Sequence, residues 1–399
     1  MTEGSPQRRP RNRKQLIVAA AARQFERKGF HDTSVADIAA EVGITGPALY
    51  RHFRSKSDLL MAAIELEIDQ IERIYTSDTE LPALLGEAAK ALLRPGRVNT
   101  LWERSSPFLE SEARSRLAER HLAALMPLRA ALLRARSDLT EADADALTWA
   151  VHAVMNTARA FERVKVDRER GRRLMVAAAT AVAELPRLLP VAQEPAPHTP
   201  IVGVLSFASR REAALAAAVH LFAERGFQAV GMDDIGAAAG ISGPTLYHHF
   251  PGKSAILSHI ILRCLEALNF DLAAALSSTD DPAEALELAL ASFVRINVAQ
   301  GDALVALTTG IVHVQEEERA PIRRAQQDYV NEWAVLLAAS RKDLSQADTE
   351  ALVRAAQRVI DAMRHHLPVR KTEQRQPLRR LGHAVLGIEE KFDTADLLV

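Results

Sequence analysis

Apolar positions recur along this chain at spacings of three and four residues, the mark of amphipathic helices. In "QLIVAAAARQFERKGF", Leu16, Ala20 and Phe25 share one 3.6-residue face, and the pattern stops at Gly29, a residue suited to a helix C-cap. Thr33 or Ser34 then opens a short helix over 35–42 that ends at Gly43. Thr45 opens the next, whose apolar face is Leu49 and Phe53 and whose end lies near Arg54. Ser55 and Asp58 have the spacing of a capping box for a long fourth helix reaching about Tyr75. Segments 82–94, 107–136, 140–163 and 169–189 carry the same period. Strand-like alternation is confined to a weak "IVGVLSF" at 201–207. The pattern predicts an all-α chain.

The pattern is also written twice. "GITGPALYRHFRSK" begins at Gly43 and "GISGPTLYHHFPGK" at Gly240, and Phe25–Leu60 aligns without gaps onto Phe222–Leu257 with 17 of 36 positions identical. Further on, "RSDLTEADADAL" ending at Leu147 returns as "RKDLSQADTEAL" ending at Leu352, at an offset of 205 rather than 197. At that offset Leu117 and Leu132 stand opposite Ile322 and Leu337. A whole unit is therefore duplicated, with eight extra residues in the second copy. The proline-rich stretch after Arg187 reads as the linker between copies.

Composition narrows the class. Of 399 residues, 48% are hydrophobic and 25% charged, as in a globular protein with a real core. Cys264 is the only cysteine, which excludes an internal disulfide and a Cys-rich metal site. The basic N-terminal stretch lacks an apolar h-region, and no apolar run reaches the roughly 18 residues of a membrane span. A soluble cytoplasmic protein is expected. Net charge is −1, yet residues 1–60 hold eleven Lys/Arg against six Asp/Glu, a local basic patch of the kind nucleic acid attracts. Residues 206–260 hold four of each sign.

Two short helices joined by a tight glycine turn form a helix-turn-helix. The helices cross closely, so a small residue is needed at Ala39 and at its counterpart Gly236. The turn needs positive φ, hence Gly43 and Gly240. Ile38, Ile44, Leu49 and Phe53 seal the small core. Thr45 and Ser242 sit at the N-cap of the second helix, and Gly46-Pro47 and Gly243-Pro244 fill its first turn, where proline's missing N–H costs nothing. A glycine there also leaves nothing to hold the helix end off a surface. In a major groove, Thr45, Ala48 and Arg51 of the first copy, and Ser242, Thr245 and His248 of the second, face base edges. Tyr50, His52 and Lys56, with Tyr247, His249 and Lys253, suit phosphates. Thr33, Gly46 and Gly243 complete the expected contact set. The basic arm with Arg8, Arg9, Arg11 and Arg13 suits an adjacent minor groove.

"TSVADIAAEVGITGPALYRHFRSKSDLL" and "VGMDDIGAAAGISGPTLYHHFPGKSAIL" both resemble the DNA-binding domain of TetR-family transcriptional regulators. The resemblance is strong over about 50 residues in each half and weaker over the remaining helices, which in that family form a ligand-binding and dimerisation domain. It implies a helix-turn-helix domain over 1–60, a helical regulatory domain over 61–190, a linker over 191–205, a second helix-turn-helix over 206–257 and a second regulatory domain over 258–399. It also implies a ligand-responsive repressor bound to a double-stranded DNA operator, with no cofactor and no metal. The tandem form departs from one unit per chain and makes the chain an intramolecular pseudo-dimer, with higher oligomers open. Tandem members are similar to actinobacterial regulators of lipid and steroid metabolism, which implies an apolar, lipid-derived effector.

A second class stays open: an architectural or scaffold protein whose weakly charged second head no longer binds specifically. No nucleophile motif, carboxylate cluster or phosphate loop stands beside His365-His366, so an enzyme is not expected. Trp102, Phe108, Met126, Trp149, His152, Met155 and Phe161, and Phe270, Phe293, His313, Trp333 and Met363, are either core or effector-pocket lining; periodicity alone does not separate the two.

Overall fold

The computed structural model describes residues 13–31, 33–76, 79–94, 101–189 and 208–389. Among these residues all regular structure is helical. The chain divides into two compact units, Met1–Ile74 with Pro95–Leu125, and Tyr75–Arg94 with Met126–Val399.

In the first unit, α1 (Arg13–Lys28) packs on α2 (Val35–Glu41), and α2 on α3 (Gly46–Tyr50), while α4 (Lys56–Ile74) lies along α1. The caps follow from local chemistry. Ser34 Oγ accepts the Asp37 N–H at 3.0 Å while the Asp37 carboxylate accepts the Ser34 N–H, so Ser34 and not Thr33 caps α2. At the start of α4 Ser55 Oγ accepts the Asp58 N–H at 3.0 Å, but the Asp58 carboxylate accepts the Arg54 N–H at 3.1 Å and not that of Ser55, so only half of the expected capping box forms. Gly43 turns the chain at φ +66°, and the Ile44 N–H reaches back to the Ala39 carbonyl at 2.9 Å. Ile17, Phe25, Ile38, Leu49, Phe53 and Leu60 are buried between the helices. Burial of such side chains is worth roughly 1.5–3 kcal/mol each, which holds a three-helix head of this size together. After α5 (Leu81–Leu92), which belongs to the second unit, the chain returns through α6 (Leu101–Ser105), a 3₁₀ turn at Ser106–Phe108, and α7 (Ser111–Ala135) as far as Leu125.

The second unit holds α8 (Glu141–Met155), α9 (Ala158–Arg163) and α10 (Arg168–Ala183). It then repeats the head as α11 (Arg210–Arg225), α12 (Met232–Ala239) and α13 (Gly243–His249), followed by α14 (Lys253–Ser278). After these come α15 (Pro282–Thr309), a 3₁₀ turn at Gly310–His313, α16 (Glu316–Ser340), α17 (Gln346–Met363) and α18 (Arg375–Leu386). Gly240 repeats the turn at φ +65°, and a Cβ at Gly236 would meet the Ile241 carbonyl at 2.9 Å, so only glycine allows this close approach. α14 has 26 residues against 19 in α4.

Helices of the two copies pack on each other here: α8 and α9 on α17, and α10 on α18. Trp149 stacks on His366 with ring centroids 4.0 Å apart, and the Arg170 guanidinium donates to Asp348 at 3.1 Å and to the Asp343 carbonyl at 3.0 Å. The expected helix over 140–163 is broken at Asn156–Thr157, where α8 ends, and that over 107–136 starts as a 3₁₀ turn. "IVGVLSF", the linker 191–205 and Arg8, Arg9 and Arg11 lie outside the described residues. No helix of the described residues is long and apolar enough to cross a membrane.

Candidate nucleic-acid interface

In the first head, α3 presents Thr45, Tyr50, Arg51 and His52 as exposed side chains, while Leu49 alone of the helix is buried. Tyr50 is 52% exposed and Tyr247, its counterpart, 55%. Rings left this open do not finish a core edge. Thr45 stands at the N-cap with extended backbone, but its hydroxyl makes no capping hydrogen bond, and neither does that of Ser242. Instead the Ser242 and Thr245 hydroxyls pair with each other at 2.8 Å. The first head cannot form this pair, because Ala48 stands where Thr245 does. Gly46 and Gly243 sit in the first turn, each followed by proline, with little around them. His248 is exposed and His249 half-buried, the two rings 5.7 Å apart.

Three expected contact residues have other work. Thr33 is fully buried, and its hydroxyl donates to the carbonyls of Gln24 at 3.1 Å and Gly29 at 2.8 Å, so it fastens the end of α1 and does not face outward. Lys56 donates from Nζ to the His31 carbonyl at 3.0 Å, with its ammonium 4.6 Å from the centre of the Phe30 ring. Lys253 donates to three carbonyls, those of Phe227, Gln228 and Val230, at 2.9–3.1 Å, and lies 4.7 Å from the Phe227 ring centre. Burial holds its ammonium below the usual lysine range. Both lysines clasp the turn between the first two helices of their head onto the start of the fourth. A lysine at a helix start serves a loop carbonyl as well as a phosphate.

The heads differ around this shared frame. In the first, the Arg23 guanidinium and the Gln24 amide grip the Glu41 carboxylate, and Lys28 pairs with Asp37 at 3.0 Å, tying α1 to α2. Burial pushes the Glu41 carboxyl up, but the hydrogen bonds from Arg23 and Gln24 prevail and its pKa is lowered; the Lys28 hydrogen bond lowers that of Asp37. The second head has His220, Leu221 and Ala238 at the positions of Arg23, Gln24 and Glu41, so this clamp is absent there. Its Arg211 lies 5.1 Å from the Phe250 ring centre, as Lys14 lies 5.6 Å from Phe53, and is paired with Glu212. Arg51 and Arg54, both exposed, are replaced by His248 and Pro251.

Sequence reasoning missed one feature of both heads. Phe108, in the 3₁₀ turn after α6, stacks on Phe30 at 5.7 Å and meets His31 edge-on at 4.6 Å. In the second head His313, in the 3₁₀ turn after α15, stacks on Phe227 at 4.6 Å. Phe108 and His313 are separated by the same 205 positions as the later repeat, which is the signal that pairs them. Of the other proposed pocket residues, Met155, Phe161, Trp333 and Met363 are fully buried, whereas Phe270 is 77% and Met126 44% exposed and neither lines an interior space.

Comparison with known proteins places the heads. The model of the bacterial regulatory proteins of the tetR family matches residues 17–63 and 214–260. The transcriptional activator FasR of Mycolicibacterium smegmatis is 37% identical over 84 residues, 21% of this chain and 38% of that protein. The transcriptional repressor KstR2 of Mycobacterium tuberculosis is 38% identical over 89 residues, 22% of this chain and 44% of that protein. The chain thus spans less than half the length of these relatives. A solved TetR-family transcriptional regulator from Bordetella parapertussis is 18% identical, covering 45% of this chain and 93% of that one at a TM-score of 0.41. With the family's segment matched in both halves and the helix-turn-helix geometry formed at each, the chain carries the DNA-binding segment of the tetR family of bacterial regulatory proteins twice.

Proposed function

We propose that this chain is a ligand-responsive transcriptional repressor that grips a double-stranded DNA operator with two unlike heads. The observation that carries the reading is the matched outward display of Tyr50 and Tyr247 beside a Gly-Pro helix start in both copies. Thr45, Ala48 and Arg51, and Ser242, Thr245 and His248, then read bases. Tyr50 and His52, with Tyr247 and His249, take phosphates. Two identical heads read a palindrome; these two differ at three of the reading positions, so the operator is non-palindromic. The packing of α8 and α10 on α17 and α18 supports an intramolecular pseudo-dimer. The effector is apolar and lipid-derived, as the resemblance implies. Selection from a random duplex library tests the whole: it enriches one asymmetric sequence, and failure to enrich any sequence overturns the reading.

A second reading, a scaffold with a degenerate second head, draws on the tied-down Arg211 and Lys253. It predicts that His248→Ala leaves the selected sequence unchanged, whereas the first reading predicts relaxed preference in one half-site.

A further inference from the structure

Two aspartates open α12 of the second head, and they do different things. The Asp234 carboxylate accepts the Gly231 N–H at 2.7 Å and so caps the helix, as Asp37 does for Ser34 in the first head. Asp233 is exposed, and its carboxylate makes no hydrogen bond or ion pair among the described residues. The first head has Ala36 at that position.

The unengaged carboxylate lies at the start of the reading helix. Asp233 Oδ1 is 4.0 Å from where a Cβ on Gly243 would stand, whereas nothing comes within 4 Å of the same place on Gly46. Gly243 is the residue whose missing side chain lets α13 approach a surface, so a full negative charge sits where that approach would be closest. Three cations of this head are engaged elsewhere: Arg211 with Glu212, Arg225 with Glu224, and Lys253 with the carbonyls of its turn. His248 and Pro251 stand where the first head exposes Arg51 and Arg54. DNA carries one phosphate charge for about every 1.7 Å of duplex. A carboxylate brought against it is repelled by every phosphate within a Debye length of about 8–10 Å.

We propose that Asp233 is a selectivity residue of the second head, a carboxylate that opposes the phosphate backbone and makes this the weaker head. The inference rests on the DNA-binding reading above and assigns one residue to the difference between the heads. Binding to random sequence rests on charge, so the carboxylate bears most directly on that mode and limits retention of the chain at wrong sites. A purely structural role predicts the opposite sign. An acid in the first turn favours its helix, so its loss would loosen α12 and weaken DNA binding.

The test is fluorescence anisotropy of the full chain on a labelled mixed-sequence duplex of about three helical turns, long enough for both heads. Asp233→Ala, which matches the first head, binds about fivefold tighter at low salt, and the gain shrinks as salt is raised. Asp233→Asn shows the same gain with the side chain's size kept, and stands in for the alanine variant should that one not fold. Ala36→Asp, the reciprocal change, weakens binding by a similar factor. Affinity of Asp233→Asn equal to or below that of the wild type overturns the proposal. A loss would mark Asp233 as a helix-start or base-reading residue instead. Wild-type protein that binds neither this duplex nor any sequence selected from a random library overturns the DNA-binding reading, and the proposal with it.

Discussion

His313 lies flat on Phe227, ring centroids 4.6 Å apart and planes 13° from parallel, where the first unit sets Phe108 on Phe30 at 5.7 Å and 17°. The same contact is thus built twice, once from two hydrocarbon rings and once with an imidazole. It joins the 3₁₀ turn after α6 or α15 to the turn that precedes the helix-turn-helix, and in both heads a lysine also donates to carbonyls of that turn.

Removing the ring loosens the turn. His313→Ala costs about 1 kcal/mol, the worth of one aromatic pair. Amide hydrogen exchange over 226–231 should quicken in the variant while α17 keeps its protection. Equal protection in variant and wild type shows that the ring does not hold the turn.

Lysine clasps and reading residues separate by what they change. Lys253→Ala loses charge-assisted bonds to three carbonyls and lowers stability by about 2 kcal/mol, measurable by urea denaturation, and Lys56→Ala loses about 1 kcal/mol. Arg51→Ala leaves stability unchanged and weakens operator binding roughly tenfold, with preference relaxed at one base. A Lys253 variant of wild-type stability and reduced salt slope would restore the lysine to the phosphate backbone.

Acid weakens the packing of α8 on α17. Burial, reinforced by neighbouring His365, holds the His366 imidazole down at about 4, so it is neutral in the folded chain against Trp149. Unfolded, it titrates near 6.5. Between those values the unfolded state binds more protons, so stability rises with pH across the window and falls on acidification from about 6.5 to about 4. Melting temperatures at pH 7, 5.5 and 4.5 should show the decline. His366→Phe flattens it, and an identical decline in that variant assigns the effect to other groups.

Light scattering at micromolar concentration gives the mass of one chain, because the α8, α10, α17 and α18 surfaces that would pair two copies are already paired within one. A dimer that separates only on unfolding contradicts this arrangement.

The first head, with the larger basic excess, is expected to dominate operator affinity. Deleting residues 2–12 lowers the salt slope more than neutralising Arg210 and Arg211 together, since Arg211 is already held by Glu212 and Phe250. A footprint of perfect two-fold symmetry, equally sensitive to both changes, would show the heads to be equivalent.

Local chemistry was legible in the chain. The helix period, the Ser34–Asp37 and Ser55–Asp58 caps and the positive φ of Gly43 and Gly240 each depend on residues within a few positions of one another, so spacing alone specifies them. The duplication was legible too, since 17 of 36 matched positions leave little room for chance. What a polar side chain does with its last hydrogen bond was not legible. Thr33 and Lys56 have types and positions that suit DNA, and only the approach of Gln24, Gly29 and His31 in space turns them inward. The pairings of Phe108 with Phe30 and of Trp149 with His366 arise between residues far apart in the chain. Neither leaves a periodic trace, because each is set by which helix faces meet, and that is decided by packing the whole interior at once.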